Sequence, residues 1–284
     1  MKKAEVPNAY MAEYDGFEKE WISTSALSCL MMCGIRFYYK YILREREPIN
    51  IRMTSGSGTH KGREINLSQK IETQENLKLD EVKDATRDDV RKRFDSNDFS
   101  AETEFEGKSK KQAVDISTDL AVELVTKDFE VFQEDMMPIA VEESMAIQYE
   151  ELDRLIVGKI DVREDNYKIT DLKTSKRAYG QAKADDSMGL STYGLLCLVE
   201  HGQMPMEYEV QNVVRGSKAC KTEVYTTRRT REQLERQLLR FKAGIIAVKA
   251  GNFVPANPEN WICSPTWCGY YQECTFGGAR LCNK

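Results

Sequence analysis

Residues 158–175 read GKIDVREDNYKITDLKTS. Short runs rich in β-branched residues lie on either side of a polar turn near Glu164–Asn166, the pattern of a β-hairpin. A three-residue turn pairing Arg163 with Tyr167 would set positions 159 and 171 opposite one another. Period-two alternation then places Asp161, Asp171 and Lys173 on one face and turns Leu172 to the other. Two carboxylates converging on one face repel each other unless a cation compensates them. A hard divalent ion such as Mg²⁺ or Mn²⁺, held by oxygen ligands, would do so, polarising a phosphoryl oxygen and lowering the pKa of a bound water. Lys173 is placed to orient that water or to offset charge developing on phosphate, which suits phosphodiester hydrolysis. The plainer alternative for an isolated Asp-x-Lys is a surface hairpin with ordinary charges.

Outward from this stretch, IAVEESMAIQYE beyond Pro138 and RLIVGKIDVRE predict a meander leading into the hairpin. MEYEVQNVVRG and KTEVYTTRR predict two further strands. Residues 187–200 read as a buried helix, and Thr230 to Lys249 as an amphipathic helix opened by a capping box between Thr230 and Gln233. Upstream, Trp21 to Arg44 begins with the helix-capping run Ser-Thr-Ser and fits one or two helices. TSGSGTH at 54–60 reads as a flexible segment feeding a helix at or after His60, and residues 76–132 read as mostly helical. No repeat and no interdomain linker is evident, so residues 1–284 are expected to form a single domain. Within it, 20–135 are mainly helical, 138–250 form the core, and 251–284 form a cysteine-rich tail.

The 284 residues are 41% hydrophobic and 31% charged, enough for a full core, with a net charge of −5 that argues against a chain coating nucleic acid indiscriminately. No run approaches the roughly 18 apolar residues of a membrane span, and MKKAEVPNAYMAEYDGFEKEW lacks the apolar stretch of a signal peptide. A cytoplasmic protein with no membrane partner is expected. Cysteines fall at 29, 33, 197, 220, 263, 268, 274 and 282, four of them in the last 22 residues. In a reducing compartment such clustering points to metal or cluster ligation rather than disulfides. No histidine lies near the tail, so an all-thiolate site is the natural reading, which serves either Zn²⁺ or an iron–sulfur cluster.

GKID followed by ITDLKTS resembles the central motif of the PD-(D/E)XK nuclease superfamily, in particular its RecB-like exonuclease branch. Gly58-Thr-His60, with Glu64 one turn on, resembles that branch's upstream histidine motif. Cys33-Gly-Ile-Arg36-Phe-Tyr resembles its Cys-x-x-Arg-Phe-Tyr helix, and Tyr193 sits where the branch has Gln-x-x-x-Tyr. The glutamine position of that last motif is Gly189 here, with Gln181 a possible substitute. The resemblance implies an α/β fold: a restriction-endonuclease-like core with a mixed central sheet flanked by helices, an N-terminal helical region and the cysteine-rich tail. It implies His60, Asp161, Asp171 and the Leu172 carbonyl as metal ligands and Lys173 as the catalytic lysine. It also implies a further glutamate, Glu142 or Glu143, with Glu142 slightly favoured.

In the iron–sulfur members of the branch one cysteine before the core and three after it hold a 4Fe-4S cluster. That implies Cys33, Cys263, Cys268 and Cys274 here, with Zn²⁺ the alternative occupant and Cys29 and Cys282 as understudies. The tail spacing, Cys-x4-Cys-x5-Cys, departs from the family's Cys-x2-Cys-x5-Cys. The implied activity is a Mg²⁺- or Mn²⁺-dependent exonuclease on single-stranded DNA or DNA ends, in recombination, repair or phage DNA processing. The alternative is a catalytically silent, nuclease-derived DNA-binding or scaffold module. Residues 166–249 hold 15 Lys and Arg against 9 Asp and Glu, including Lys176, Arg177, Arg228, Arg229 and Arg231. This patch, a second wall of Arg36, Lys40 and Arg44, and Tyr193 are candidate DNA contacts without base specificity. Trp261, Trp267, Tyr270 and Tyr271 read as packing groups for the tail, or as stacking surfaces for unpaired bases.

Overall fold

The computed structural model describes residues 1–5, 21–100, 105–216 and 218–276. Cys282 lies outside them. The described elements run β1 (Lys2–Ala4), β2 (Trp21–Ser23), α1 (Thr24–Met32), α2 (Gly34–Phe37), α3 (Ile51–Thr73), α4 (Leu79–Ser96), α5 (Lys110–Asp128), β3 (Pro138–Gln148), β4 (Leu155–Glu164), β5 (Lys168–Ser175), α6 (Gln181–Asp185), α7 (Met188–His201), β6 (Glu207–Val214), β7 (Lys221–Thr227) and α8 (Arg231–Lys249). A π-helical turn follows α2 and another follows α5.

The seven strands form one mostly antiparallel sheet in the order β1-β3-β4-β5-β6-β7, with β2 alongside β4. Parallel pairing joins β5 to β6, as a crossover through α6 and α7 requires, and joins β2 to β4. One face packs Ile156, Ile160 and Ile169 against Leu27 of α1, Leu195 and Leu196 of α7 and Phe241 of α8. The other face sets Leu172 and Val213 against Leu120 and Leu124 of α5, and Val162 against Leu67 of α3. This is a restriction-endonuclease-like α/β fold, as expected. No helix of the described residues is long and apolar enough to cross a membrane.

Local chemistry accounts for most boundaries. Ser23 caps α1 by accepting from the Ala26 N–H, and Thr230 and Gln233 form the reciprocal capping box of α8. Two expectations fail. Residues 54–60 are helical: α3 starts at Asn50, whose side chain accepts from the Met53 N–H, and runs through the glycines. Their cost to the helix is offset because they let its neighbours come close. A Cβ on Gly58 would sit 2.6 Å from Val90 Cγ2, and one on Gly62 2.3 Å from Thr86 Oγ1 and 2.8 Å from Val125 Cγ2. The hairpin register also differs, since Arg163 pairs with Ile169 rather than Tyr167. β4 extends through the buried Glu164, whose carboxylate accepts from Thr170 Oγ1, and Tyr167 turns the chain in the left-handed region at φ 59°.

Gly62→Ala tests the close packing. Alanine is worth up to about 1 kcal/mol more than glycine in a helix, whereas an added carbon against immobile buried neighbours costs about 1–3 kcal/mol. Thr86 and Val125 are both fully buried, so the packing cost prevails and the variant melts at a lower temperature than wild type.

Candidate active site

The site begins with a gap in the sheet. β3 covers one edge of β4 along its whole length. The opposite edge is divided: β2 pairs with Leu155, Ile156 and Val157, while β5 pairs with Val162 and Arg163. Among the described residues no strand pairs with Gly158–Asp161 on that edge. Asp161 fills the opening itself, its Oδ2 accepting the Leu172 N–H at 3.0 Å in place of a ladder bond.

The same rung carries a break in alternation. Val141 pairs with Val162 and Glu143 with Ile160, so Glu142 stands opposite Asp161. Ile160 packs on the α7 face yet Val162, two residues on, packs on the α3 face. Glu142 has φ 50°, the left-handed region that a glutamate adopts only under local constraint. Backbone breaks of this kind re-aim side chains. Here they turn two carboxylates towards α3, where His60 descends to meet them.

His60, Glu142 and Asp161 each offer a ligand atom within 4.8 Å of the others. His60 Nδ1 is 3.5 Å from Asp161 Oδ2. Glu142 pairs with Lys159, while Glu143 turns away to grip Arg163 with two 2.8 Å hydrogen bonds. The two glutamates left open by sequence alternation are thus separated. Burial, reinforced by the negative charge of Asp161, pushes the Glu142 carboxyl above its usual range. An imidazole nitrogen and two mutually repelling carboxylates make a donor set that fits a hard divalent cation.

Asp171 is not part of that trio. Its side chain is buried and ion-pairs with Lys173 at 2.5 Å. Burial on its own would lower the Lys173 ammonium, but the Asp171 and Asp161 carboxylates outweigh it and hold the lysine above its ordinary value. Burial raises Asp171 in turn, against the pull of Lys173. Lys173 is therefore a fixed cation beside the trio.

His60, Glu142, Asp161 and Lys173 line an open cleft of about 710 Å³. Its walls carry Arg52, Lys61, Arg93, Lys159, Lys173 and Lys176 against Glu64, Glu142 and Asp161, a local excess of positive charge in an acidic protein.

Other expected contacts lie elsewhere. Tyr193 packs on the core side of β4, near Gly158, and does not line the cleft. Arg36 and Lys40 both pair with Glu47. Arg229 is buried, donating to the Ala184 carbonyl at 2.6 Å, and Arg231 pairs with Glu235. Gln181 bonds Asp185 and the Thr226 carbonyl, so it does not stand in for the glutamine replaced by Gly189. Lys176 lines the cleft; Arg177 is exposed just beyond it. In each displaced case a nearby acidic or carbonyl oxygen, or the core, captures a side chain whose sequence context gave no sign of that partner.

Sequence reading missed the support beneath His60. One turn further along α3, Arg63 is buried and bonds Asp128 at 3.2 Å, Met136 Sδ at 2.9 Å and Gln211. Gln133 Nε2 donates to the second Asp128 oxygen at 2.5 Å. Burial pushes the Asp128 carboxyl up, against the stabilising guanidinium and amide. An arginine on the buried face of an otherwise small-residue helix was the available signal.

The cysteine tail folds back on the N-terminal helices. Glu47 accepts from Arg36 and from the Gly269 N–H, Tyr270 donates to the Glu45 carbonyl, and the Tyr39 and Tyr270 rings stack at 5.3 Å. Cys33 Sγ accepts the Arg36 and Ala256 N–H groups at 3.4 Å each. Burial pushes the Cys268 thiol up to about 11, opposed by the Tyr270 N–H and by Arg36. Among the described residues, no three of the cysteines bring their sulfurs within ligand distance of one another. Cys29, by contrast, belongs to the apolar core, and burial pushes it up to about 11.

A sequence model of the PD-(D/E)XK nuclease superfamily matches residues 21–275. The chain belongs to that superfamily. Its fold is similar to the crystal structure of a candidate exonuclease from Eubacterium rectale, with a TM-score of 0.61 and 12% identity, covering 99% of this chain and 94% of that one. A second solved structure, SSO0001, aligns with a TM-score of 0.44 and 12% identity over 95% and 92% of the two chains. Among curated protein sequences none matches this one.

Arg63→Met should separate support from chemistry. It leaves Asp128 buried without its cation, a change that costs about 3–5 kcal/mol, so chemical denaturation should show a large loss of stability. Asp161→Asn, in the partly buried trio whose carboxylates repel one another, should leave the melting temperature near wild type or above it.

Proposed function

We propose that this chain is a Mg²⁺- or Mn²⁺-dependent deoxyribonuclease, working as an exonuclease on single-stranded DNA or DNA ends as one nuclease domain. The observation that carries the reading is the convergence of His60, Glu142 and Asp161 beside the ion-paired Lys173 in an open, basic-walled cleft. Superfamily membership and the shared fold of the E. rectale candidate exonuclease support it.

In this reading His60, Glu142 and Asp161 hold the metal, with Asp171 and the Leu172 carbonyl as the further expected ligands. When bound, such an ion would polarise the scissile phosphoryl oxygen and lower the pKa of a bound water, so that hydroxide is available at neutral pH to attack phosphorus. The protein's own groups do the rest. Lys159 must release Glu142 for it to serve as a ligand. Asp171 fixes the Lys173 ammonium so that it orients the attacking water and offsets the charge gathering on the phosphate. Asp161 keeps its bond to the Leu172 N–H, which holds its carboxylate in place. Lys176, on the cleft wall, and Arg177 just beyond it contact the phosphate backbone, which makes binding fall with salt. Recombination, repair or phage DNA processing are the settings such an activity serves.

We further propose that Cys33, Cys263, Cys268 and Cys274 hold a 4Fe-4S cluster that fastens the tail to α1 and α2. The backbone N–H groups aimed at the Cys33 sulfur support it. Protein purified without oxygen should be brown and contain about four iron atoms per chain. Stoichiometric zinc, or colourless metal-free protein of unchanged stability, would remove the cluster from the proposal.

End-labelled single- and double-stranded DNA digested with Mg²⁺, Mn²⁺ or EDTA tests the activity. Wild type should cleave only with metal, and Lys173→Ala, which removes a charge interacting with the transition state, should slow cleavage by about 10²-fold or more. Metal-independent cleavage, or cleavage unaffected in both Lys173→Ala and Asp161→Asn, would refute it. Folded protein that binds DNA but never cuts it would indicate a silent binding module instead.

A further inference from the structure

A second cavity, of about 240 Å³, adjoins the catalytic cleft. Arg52, Met53 and Trp267 line both, forming the wall between them. On the far side of that wall Trp261 and Trp267 meet edge to face, their ring centroids 5.6 Å apart and their planes at 87°. The Arg52 guanidinium lies 5.6 Å from the Trp267 ring centroid and pins that ring against α3. The pair leaves 61% of Trp261 and 44% of Trp267 exposed. Tyr270, a few residues along the same tail, is buried, so the tail packs one aromatic residue and presents two others.

The cleft also adjoins a small niche rich in basic residues. Arg52, Ser55, Lys176 and Arg215 line it, and Arg52 and Lys176 belong to the cleft as well. Both spaces thus adjoin the cleft, and Arg52 lines all three. A single strand suits these surroundings, because it can offer a base face to the aromatic corner and phosphates to the cations. In a duplex the base faces are hidden by their neighbours. The cations around Trp267 suit a polyanion and argue against a neutral apolar partner.

We propose that the Trp261–Trp267 corner is a stacking subsite for an unpaired nucleobase of the strand whose backbone crosses the catalytic cleft. This rests on the nuclease reading above and deepens it by assigning tail residues, beside the cleft, that would hold an unpaired base of the substrate. Two perpendicular rings let a base lie on one face with its edge against the other ring. Stacking on aromatic side chains tolerates any base, because every base has a π-face. The tail thereby becomes part of the substrate site as well as a structural clasp.

The experiment is a fluorescence titration of the full chain with an oligothymidylate of roughly ten nucleotides, within the usual site size of single-strand binders, in EDTA so that nothing is cleaved. The chain has three tryptophans, and Trp21 is buried, so quenching reports on the exposed pair. Wild type should be quenched and should bind blunt duplex of the same length more weakly. Trp261→Ala should weaken single-strand binding by about tenfold, as loss of one stacked base does, whereas Trp261→Phe should retain most of the affinity and duplex binding should not change. Trp267→Leu should behave as Trp261→Ala does.

If Trp267→Leu misfolds, the more exposed Trp261 decides the matter. Absence of quenching, or affinity within about twofold of wild type in Trp261→Ala at an unchanged melting temperature, is below any stacking contribution and overturns the proposal. Because the titration needs no metal and no turnover, quenching without cleavage would sink the nuclease reading alone. Metal-dependent cleavage without quenching would sink the stacking subsite alone.

Discussion

The bond from the Leu172 N–H to the Asp161 carboxylate is the constraint on which the site depends. β4 is an interior strand whose open edge is shared by two partners, β2 and β5, whose pairings with it stop short of one another. A backbone donor left in such a gap would be costly. A side-chain acceptor satisfies it and is itself fixed in the process. The interval between β2 and β5 thereby becomes the place where a carboxylate is held rigidly at the boundary between the sheet and α3. Around it the sheet twists out of strict alternation, Glu142 takes a left-handed backbone, and α3 comes close enough, through Gly58 and Gly62, to bring His60 into range.

Electrostatics then divides the acidic groups by role. Asp171 is buried and ion-paired with Lys173. Glu142 and Asp161 remain on the cleft wall, where their repulsion is only partly relieved by Lys159. An ion pair beneath and an under-compensated carboxylate pair above is an arrangement that favours cation binding over self-neutralisation. Beneath His60, the Arg63–Asp128 pair fixes the helix from which the histidine projects. The cysteine tail, secured by Glu47 and Tyr270, adds one more wall to the cleft through Trp267.

Much of this was legible in the residues. Runs of β-branched residues marked the core strands, and Ser23 and the Thr230/Gln233 box marked helix starts, because these signals act within a few residues of themselves. Asp161, Lys173 and His60 were recognisable from their motifs. What was not legible depended on packing partners far away in sequence. TSGSGTH reads as a flexible segment until α4 and α5 lie against its glycines. Arg36, Lys40 and Arg229 read as free cations until Glu47 and the Ala184 carbonyl claim them. The choice between Glu142 and Glu143 turned on a positive φ that no alternation rule contains.

The sequence by itself determined the order of the core strands β3 to β7 and most of the helices, the identity of the candidate ligands and candidate catalytic lysine, and the clustering of cysteines at one end, since all of these are carried by local spacing and residue chemistry. Only the tertiary structure decided which glutamate faces His60, that Asp171 ion-pairs with Lys173, and that two tryptophans of the tail stand beside the cleft. Those outcomes depend on strand register, on the gap between β2 and β5, and on the closeness of α3 to its neighbours. They come from contacts between residues distant in the chain, whose energies are settled when the whole sheet closes.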